Sequence, residues 1–486
     1  MVELTDSSLF REQGFISGSW LDSDSGEAFA VVNPATGRRL GTVPDMGAAE
    51  VGRAVDAADA ALPLWREQTA RDRALRLRRW HDLMMENQED LARIMTAEQG
   101  KPLAEARGEV AYAAGFVEWF AEEAKRIYGD VIPSPQADSR ILTIKAPVGV
   151  CAVITPWNFP AAMITRKSAA ALAAGCTVVV KPASQTPFSA LALAELARRA
   201  GIPGGVYNVV TGDSRLIGHA LTENSTVRKL SFTGSTETGR QLMKQSAPTV
   251  KRLSLELGGH APFIVFSDAP MDASVSGAIA SKYRNSGQTC VCANRFIVHT
   301  DVYDEFVSRL ADAVKGLKVA DGFTQGAQQG PLIDMAAVEK VEAQIADAVK
   351  KGAEVVCGGG RHALGGTFFE PTVLAGATGG MRIASEETFG PVAPVFRFSE
   401  ETDAIGLANS TDFGLAAYFY TRDAGRIWRV AEALEYGIIG INTGQISTEV
   451  APFGGMKQSG FGREGSKYGI DEYLEIKYLN MAGIND

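Results

Sequence analysis

Alternation of two textures after Pro147 limits what this chain can fold into more than any other feature of it. Short runs rich in Val, Ile and Thr stand at 149–155, 177–181, 206–210, 229–233 and 252–257. Between most of them lie alanine-rich stretches with helical spacing, such as 189–200 and 236–245. Strands separated by helices make βαβ units, and these stack into a parallel sheet. The pattern resumes with a strand at 262–266, a helix near 273–284 and a strand at 295–299. It continues through 301–317, 354–357 and 438–442. The chain is therefore α/β, with two stacked units joined near Gly258-Gly259.

Three segments stand apart from this alternation. Residues 15–42 read as short strands and turns, with turn pairs at Asn33-Pro34 and Thr36-Gly37. Residues 48–127 are helical, and the arginine-rich run 71–80 spaces its apolar residues three and four apart, as a solvated helix face with one buried stripe does. Residues 128–145 and 472–479 fit neither unit and read as extended segments that pair away from the main body.

Composition narrows the class of function. An apolar fraction of 45% and a charged fraction of 22% are globular values. At about 100–200 residues per domain, 486 residues make two or three domains. A net charge of -9 argues against nucleic acid or an anionic membrane as partner. No apolar run reaches the ~18 residues of a membrane span, and residues 1–13 carry acids where a signal peptide has an apolar core. Five cysteines, at 151, 176, 290, 292 and 357, are too sparse for a disulfide framework, so a reducing cytoplasm is expected. With no Cys-x-x-Cys, no His-Glu-x-x-His and five scattered histidines, no metal site is expected.

Four segments carry candidate chemistry. Cys290 ends the polar, glycine-containing stretch Asn285-Ser286-Gly287-Gln288-Thr289. A thiolate is a strong nucleophile once a neighbour lowers its pKa or takes its proton. A lone cysteine is more often a small buried hydrophobe, and the polar flanks favour the reactive reading. Thr155-Pro156-Trp157-Asn158-Phe159-Pro160 follows a strand, at the end of the sheet where open α/β folds bind ligands. It reads equally as a rigid turn and as an asparagine amide aimed at an oxyanion. Glu256 sits in an apolar strand end before Gly258-Gly259, as a buried general base or as a cap on the glycine turn. Phe232-Thr233-Gly234-Ser235-Thr236-Glu237-Thr238-Gly239 runs from strand into helix. It lacks the lysine of a phosphate-loop NTPase, yet a glycine turn at a helix N-terminus can face a pyrophosphate.

In this order and spacing the four segments resemble the aldehyde dehydrogenase superfamily. The likeness runs from about residue 33 to 478 and includes Lys181-Pro182-Ala183-Ser184, Glu386-Glu387-Thr388-Phe389-Gly390-Pro391 and Pro452-Phe453-Gly454-Gly455-Met456-Lys457-Gln458-Ser459-Gly460. Within the superfamily the chain is similar to the succinate-semialdehyde dehydrogenase group, on Ile164-Thr165-Arg166-Lys167, residues 232–239, Arg284 with 287–292, and residues 465–469.

That resemblance implies two Rossmann-like parallel-sheet domains and a small β arm used for oligomerisation. Residues 1–127 and 146–257 would bind the dinucleotide, 258–460 would form the catalytic domain, and 128–145 with 470–486 the arm of a homodimer or homotetramer. Cys290 would attack an aldehyde, Asn158 would hold the oxyanion with the Cys290 backbone N–H, and Glu256 would activate the water that hydrolyses the thioester. Lys181 and Glu387 would bind the riboses, Gly234 and Ser235 the pyrophosphate. Trp157, Leu257 and Phe389 would line the cofactor cleft. Glu464 matches a second acid, as a proton relay or as a structural ion pair. His260 stands where the group usually has asparagine, as a packing swap or as a change in hydrogen bonding beside the base.

The resemblance also frames cofactor and substrate. Members favouring NAD often carry glutamate at the position of Ser184. A carboxylate would repel a 2′-phosphate and a serine hydroxyl can donate to it, so NADP is expected, with NAD as the alternative. Arg166, eight residues after Asn158, and Arg284, six before Cys290, are tied in sequence to the reacting groups. Guanidinium groups hold carboxylates with paired, charge-assisted hydrogen bonds. With Ser447 they would clamp the distal carboxylate of a semialdehyde, succinate semialdehyde first and glutarate semialdehyde second. Otherwise the arginines pair with protein acids. Cys292, two residues from Cys290, is either a redox partner or a small core residue. Rival classes are a coenzyme A-acylating dehydrogenase, against which Glu256 argues, a non-enzymatic member of the fold, and a cysteine hydrolase, for which no histidine has a suitable context.

Overall fold

The computed structural model describes residues 2–484. Met1, Asn485 and Asp486, at the outer ends of the segments assigned above to the first domain and the arm, lie outside the described residues.

An eight-stranded sheet carries the first alternating run. In spatial order its strands are Ser19–Leu21, Gly14–Ile16, Tyr207–Val209, Thr177–Lys181, Val150–Ile154, Val227–Thr233, Arg252–Glu256 and Gly460–Phe461. The five from Tyr207–Val209 to Arg252–Glu256 are parallel. Their inward residues are Val, Ala, Leu and Phe on both faces, as the fully covered strands of such a sheet require. A seven-stranded sheet follows, in the order Glu354–Cys357, Thr372–Ala375, Val392–Phe398, Ala293–His299, Ala261–Val265, Ala416–Tyr420 and Ile438–Ile441. All its pairs are parallel except that of the first strand. The chain passes from one sheet to the other at Gly258-Gly259. Gly460–Phe461 returns to the first sheet and pairs antiparallel with Leu255 and Glu256.

The extended segments 128–145 and 472–479 meet in a third, antiparallel sheet. Leu474–Met481 pairs along its length with Arg140–Pro147, and Val131–Ile132 adds a short edge. Ile476, Tyr478, Leu479 and Met481 leave this sheet's surface apolar and exposed.

Four helices, Ala48–Arg66, Ala70–Glu86, Gln88–Gln99 and Leu103–Glu123, fill residues 48–127. The arginine-rich run departs from a purely solvated face at Arg73. This side chain is buried and donates to the carbonyls of Ala173, at the end of helix Ala162–Ala174, and of Gln68. A helix leaves its last carbonyls unpaired and partly negative, so a cation is well placed there.

Parallel register fixes where a site can form. Ile154 lies beside Lys181 and Phe232, and Thr233 beside Glu256. The carboxyl ends of four strands thus share one edge, and the loops leaving that edge carry Trp157, Asn158, Ser184, Gly234 and Ser235.

Candidate active site

The Cys290 loop holds an unusual backbone. After helix Met271–Lys282, Asn285 (φ 50°), Ser286 (φ 55°) and Gly287 (φ 74°) are consecutive left-handed residues. Two non-glycine residues in that region cost free energy and persist only where the surroundings enforce them. Here the Asn285 N–H donates to Glu105 Oε2 (2.8 Å), its Nδ2 to the Asn158 carbonyl (3.0 Å), and its Oδ1 accepts from Gln99 Nε2 (3.0 Å). Ser286 Oγ donates to the Gly330 carbonyl at 3.0 Å. The strand turn opposite comes very close. A Cβ on Gly259 would lie 2.3 Å from the Cys290 carbonyl oxygen, so only glycine fits there.

Around the buried Cys290 thiol stand the other predicted groups. Asn158 Nδ2 donates to the Gln288 carbonyl at 3.0 Å, which fixes the orientation of the amide and leaves its second N–H unused. Burial pushes the Cys290 thiol up, and the facing Glu256 adds to this. Burial also raises Glu256 above the usual carboxylate range, against the pull of Arg166, whose Nη2 lies 3.3 Å from Glu256 Oε2. A thiol raised beside an acid raised to become a base favours proton transfer during attack rather than a standing thiolate. Glu464 ion-pairs with Arg166 and Lys167, and despite burial these two cations hold it below the carboxylate range. Its contacts are those of the structural ion pair.

Next to Cys290 opens a cavity of about 530 Å³ lined in part by Lys101, Glu105, Arg284 and Ser447. It narrows into a tight chamber of about 10 Å³ where Arg166, Arg284 and Ser447 meet Cys290, Tyr112 and Phe453. The two arginines differ. Arg166 is fully buried, stacked 4.5 Å from the Phe453 ring and paired with acids, with Nη1 left without a partner. Arg284 lies over Phe159 at 4.7 Å and has no ion pair or side-chain hydrogen bond among the described residues.

On the opposite side, Lys181 Nζ donates to Ser214 Oγ (2.6 Å) and Ser184 Oγ (3.4 Å). Burial lowers its pKa to about 8, because Asp213 and Asp45 offset the loss of water only in part. Ser235 caps helix Thr236–Ser246, accepting from the Thr238 N–H, and Gly234 precedes it. Glu387, pushed up to about 7 by burial, accepts from the Gly259 N–H at 3.0 Å. Phe389, at φ 54°, sets its ring edge-on to Trp157 at 5.5 Å. Leu257 is buried against Gly239, where a Cβ would lie 2.5 Å from it. A buried cation held only by hydroxyls, a capped helix N-terminus and two half-buried rings form a surface that fits a dinucleotide.

Two sequence alternatives meet their geometry here. His260 donates from Nε2 to the Ala384 carbonyl at 2.9 Å, stays neutral with a pKa lowered to about 3 by burial, and packs near Phe413. Its Nδ1 is buried without a partner among the described residues. Cys290 and Cys292 are free thiols, and the Cys292 sulfur is engaged with the Gly287 carbonyl (3.3 Å) and Lys282 Nζ (3.6 Å).

Sequence reasoning passed over a strap from Glu98 to Glu109. Gln99 and Glu105 hold Asn285, while Lys101 and Glu109 hold the Asn158 segment. The available signal was charge around a helix break, since Gly100 (φ 94°) and Pro102 interrupt a helical run at Gln99-Gly100-Lys101-Pro102.

The sequence matches the Aldehyde dehydrogenase family over residues 20–479. It is 65% identical over 478 residues to the NADP(+) succinate-semialdehyde dehydrogenase GabD of Escherichia coli, covering 98% of this chain and 99% of that protein. It is 64% identical over 483 residues to a glutarate-semialdehyde dehydrogenase of Pseudomonas aeruginosa, covering 99% and 100%. Among solved structures, an E. coli NADP dependent enzyme superposes with a TM-score of 0.98 at 64% identity, covering 99% of this chain and 100% of that one.

Proposed function

The chain belongs to the aldehyde dehydrogenase family, and from that premise we propose that it oxidises a semialdehyde bearing a distal carboxylate, with NADP as the preferred cofactor and NAD as the alternative. Succinate semialdehyde is the first choice and glutarate semialdehyde the second, since relatives of both names are equally similar.

The observation that carries this reading is Arg284, a guanidinium that lines both the larger cavity and the chamber at Cys290 and makes no ion pair or side-chain hydrogen bond among the described residues. Ser447 and the unpartnered Arg166 Nη1 share that chamber. A carboxylate at the mouth of that chamber, where Arg284 and Ser447 also line the larger cavity, gains charge-assisted bonds. Cys290 Sγ attacks the aldehyde carbon, and Glu256 accepts the thiol proton. The oxyanion of the thiohemiacetal takes hydrogen bonds from the free Asn158 Nδ2 hydrogen and the Cys290 backbone N–H. NADP, when bound, would supply the hydride acceptor for oxidation of this adduct to the thioester. Once Glu256 has passed the thiol proton to solvent, it takes a proton from the water that attacks the thioester carbonyl; the C–S bond breaks, that proton returns to Cys290 Sγ, and the product leaves as the carboxylate. Lys181, Ser184, Gly234, Ser235, Glu387, Trp157, Leu257 and Phe389 would hold the cofactor.

The two larger sheets support a division at 257–258 into dinucleotide and catalytic domains. The apolar surface of the third sheet supports a homodimer or homotetramer. Among the described residues no helix is long and apolar enough to cross a membrane, and a cytoplasmic enzyme fits this.

Arg284→Ala tests the clamp. Loss of a hydrogen bond to a charged group, about 1.5–3 kcal/mol, should raise the Michaelis constant for succinate semialdehyde by roughly ten- to a hundredfold. An uncharged aldehyde of similar length should change little. Equal losses on both substrates would sink the clamp. Arg166→Ala is a poorer test, because it also strips Glu464 and Glu256 of a cation. Adding coenzyme A should leave the product a free carboxylate.

A further inference from the structure

We propose that Lys101, paired with Glu109, is a positioning residue that fixes Asn158 for catalysis. The proposal rests on the reading of Asn158 as oxyanion donor given above.

Lys101 sits in the break between helices Gln88–Gln99 and Leu103–Glu123, and its side chain and that of Glu109 are both 1% exposed. Its ammonium has three hydrogens and three neighbours. Nζ donates to Glu109 Oε2 and to the Asn158 carbonyl at 2.7 Å, and lies 4.1 Å from the centre of the Phe159 ring. Glu109 uses its other oxygen on the Ala161 N–H (2.9 Å) and the Ala162 N–H (3.3 Å). Those are the first donors of helix Ala162–Ala174, which have no partners inside the helix. One ion pair therefore grips the Asn158–Ala162 segment at both ends, the cation on a carbonyl and the anion on two N–H groups.

Stability alone does not call for such a pair. A buried ion pair is often no better than apolar side chains of the same volume. An apolar pair, however, could neither donate to the Asn158 carbonyl nor accept from the helix start. The grip has a second hand, since Asn285 Nδ2 donates to the same carbonyl at 3.0 Å, and Asn285 belongs to the Cys290 loop. The height of the Asn158 amide relative to Cys290 is thus set from Lys101. A displacement of about 1 Å at a reacting centre can cost roughly a hundredfold in rate.

The experiment is a double-mutant cycle on the enzyme saturated with NADP, using Lys101→Met, Asn158→Ala and the double variant. Turnover, the pre-steady-state rate of cofactor reduction, the Michaelis constant for the aldehyde and dinucleotide affinity are measured. Asn158→Ala should lower the reduction rate by about a hundredfold or more. Lys101→Met should lower it by at least about tenfold, with dinucleotide affinity and the aldehyde Michaelis constant within about threefold of wild type. The double variant should be no slower than Asn158→Ala, because Lys101 acts only through Asn158. Losses that multiply would place the action of Lys101 elsewhere and overturn the proposal. So would a raised Michaelis constant with turnover intact, which would make Lys101 a substrate contact. If Asn158→Ala is slow and Lys101→Met is not, positioning fails while the oxyanion reading stands. If Asn158→Ala itself is unimpaired, the reading fails and the proposal with it. Lys101→Met combined with Glu109→Gln removes both charges and keeps an acceptor for Ala161. If neither this variant nor Lys101→Met binds dinucleotide, the pair is purely structural and the proposal is overturned.

Discussion

At the Cys290 end of the cleft, left-handed backbone, two buried acids and their cations lock one another in place. At the Lys181 corner, a buried ammonium leans on two serine hydroxyls, and Ser184 Oγ reaches the Gly212 carbonyl only at 3.4 Å. The first end has its geometry set before any ligand arrives, the condition under which fixed dipoles stabilise a developing charge. The second keeps donors in loose contacts that a ligand can take over. Substitutions at the first end should therefore change rates by orders of magnitude, and those at the second should redistribute affinity between ligands.

Cys290→Ala is the strongest way to break this contrast. It should abolish aldehyde oxidation and leave dinucleotide binding within a few-fold of wild type, as read by cofactor absorbance and fluorescence titration. Appreciable turnover in the variant would remove the reacting end as described.

Glu256→Gln comes next. Steady turnover should fall by about 10²–10⁴, stalling before the thioester where loss of the base slows thiol attack and at the thioester, after a first burst of reduced cofactor, where it slows hydrolysis. Wild-type turnover should also fall on the acid side at a pH above the usual carboxylate range. Burial raises Glu256, so protonation removes the base as pH falls through that raised value. Glu464, held low by Arg166 and Lys167, stays ionised throughout. A pH–rate profile flat down to the ordinary carboxylate range would contradict this assignment.

The smallest effect is expected at the looser corner. Ser184→Glu places a carboxylate where a 2′-phosphate would meet a hydroxyl. It should move the ratio of NADP to NAD efficiency towards NAD by at least about tenfold, with maximal turnover nearly unchanged. An unaltered ratio would mean that this corner does not read the phosphate.

The sequence exposed what has a period or a motif. The run at 177–181 is a strand with those bounds, and the extended segments 128–145 and 472–479 do pair with each other. Cys290, Asn158 and Glu256 were singled out by local motifs, and the fold sets Glu256 against the Cys290 thiol and Asn158 against the loop that carries it. What escaped was long-range and aperiodic. Lys101 reaches Asn158 across 57 residues and Gln99 reaches Asn285 across 186, contacts that leave no mark on a hydrophobic pattern. Arg166 pairs with protein acids, the alternative to the clamp, and still keeps Nη1 without a partner, since one guanidinium has donors to spare. Arg73 hid in a run whose spacing was that of a solvated face, because burial was decided by a helix end a hundred residues away.

The return of Gly460–Phe461 to the first sheet bears on how the enzyme is made. The strand that ends in Glu256 finds its outer neighbour only there, Ser459 bonds to Gly258 and Leu257, and Arg166 meets Glu464 just beyond. A nascent chain, which folds from its N-terminus as it leaves the ribosome, has the strands around Lys181 long before these partners exist. The surface around Lys181 can thus mature early in synthesis, while Glu256, the proposed base, stays unsupported until the last stretch emerges. A polypeptide released short of Gly460 would carry much of a cofactor site and no armed nucleophile.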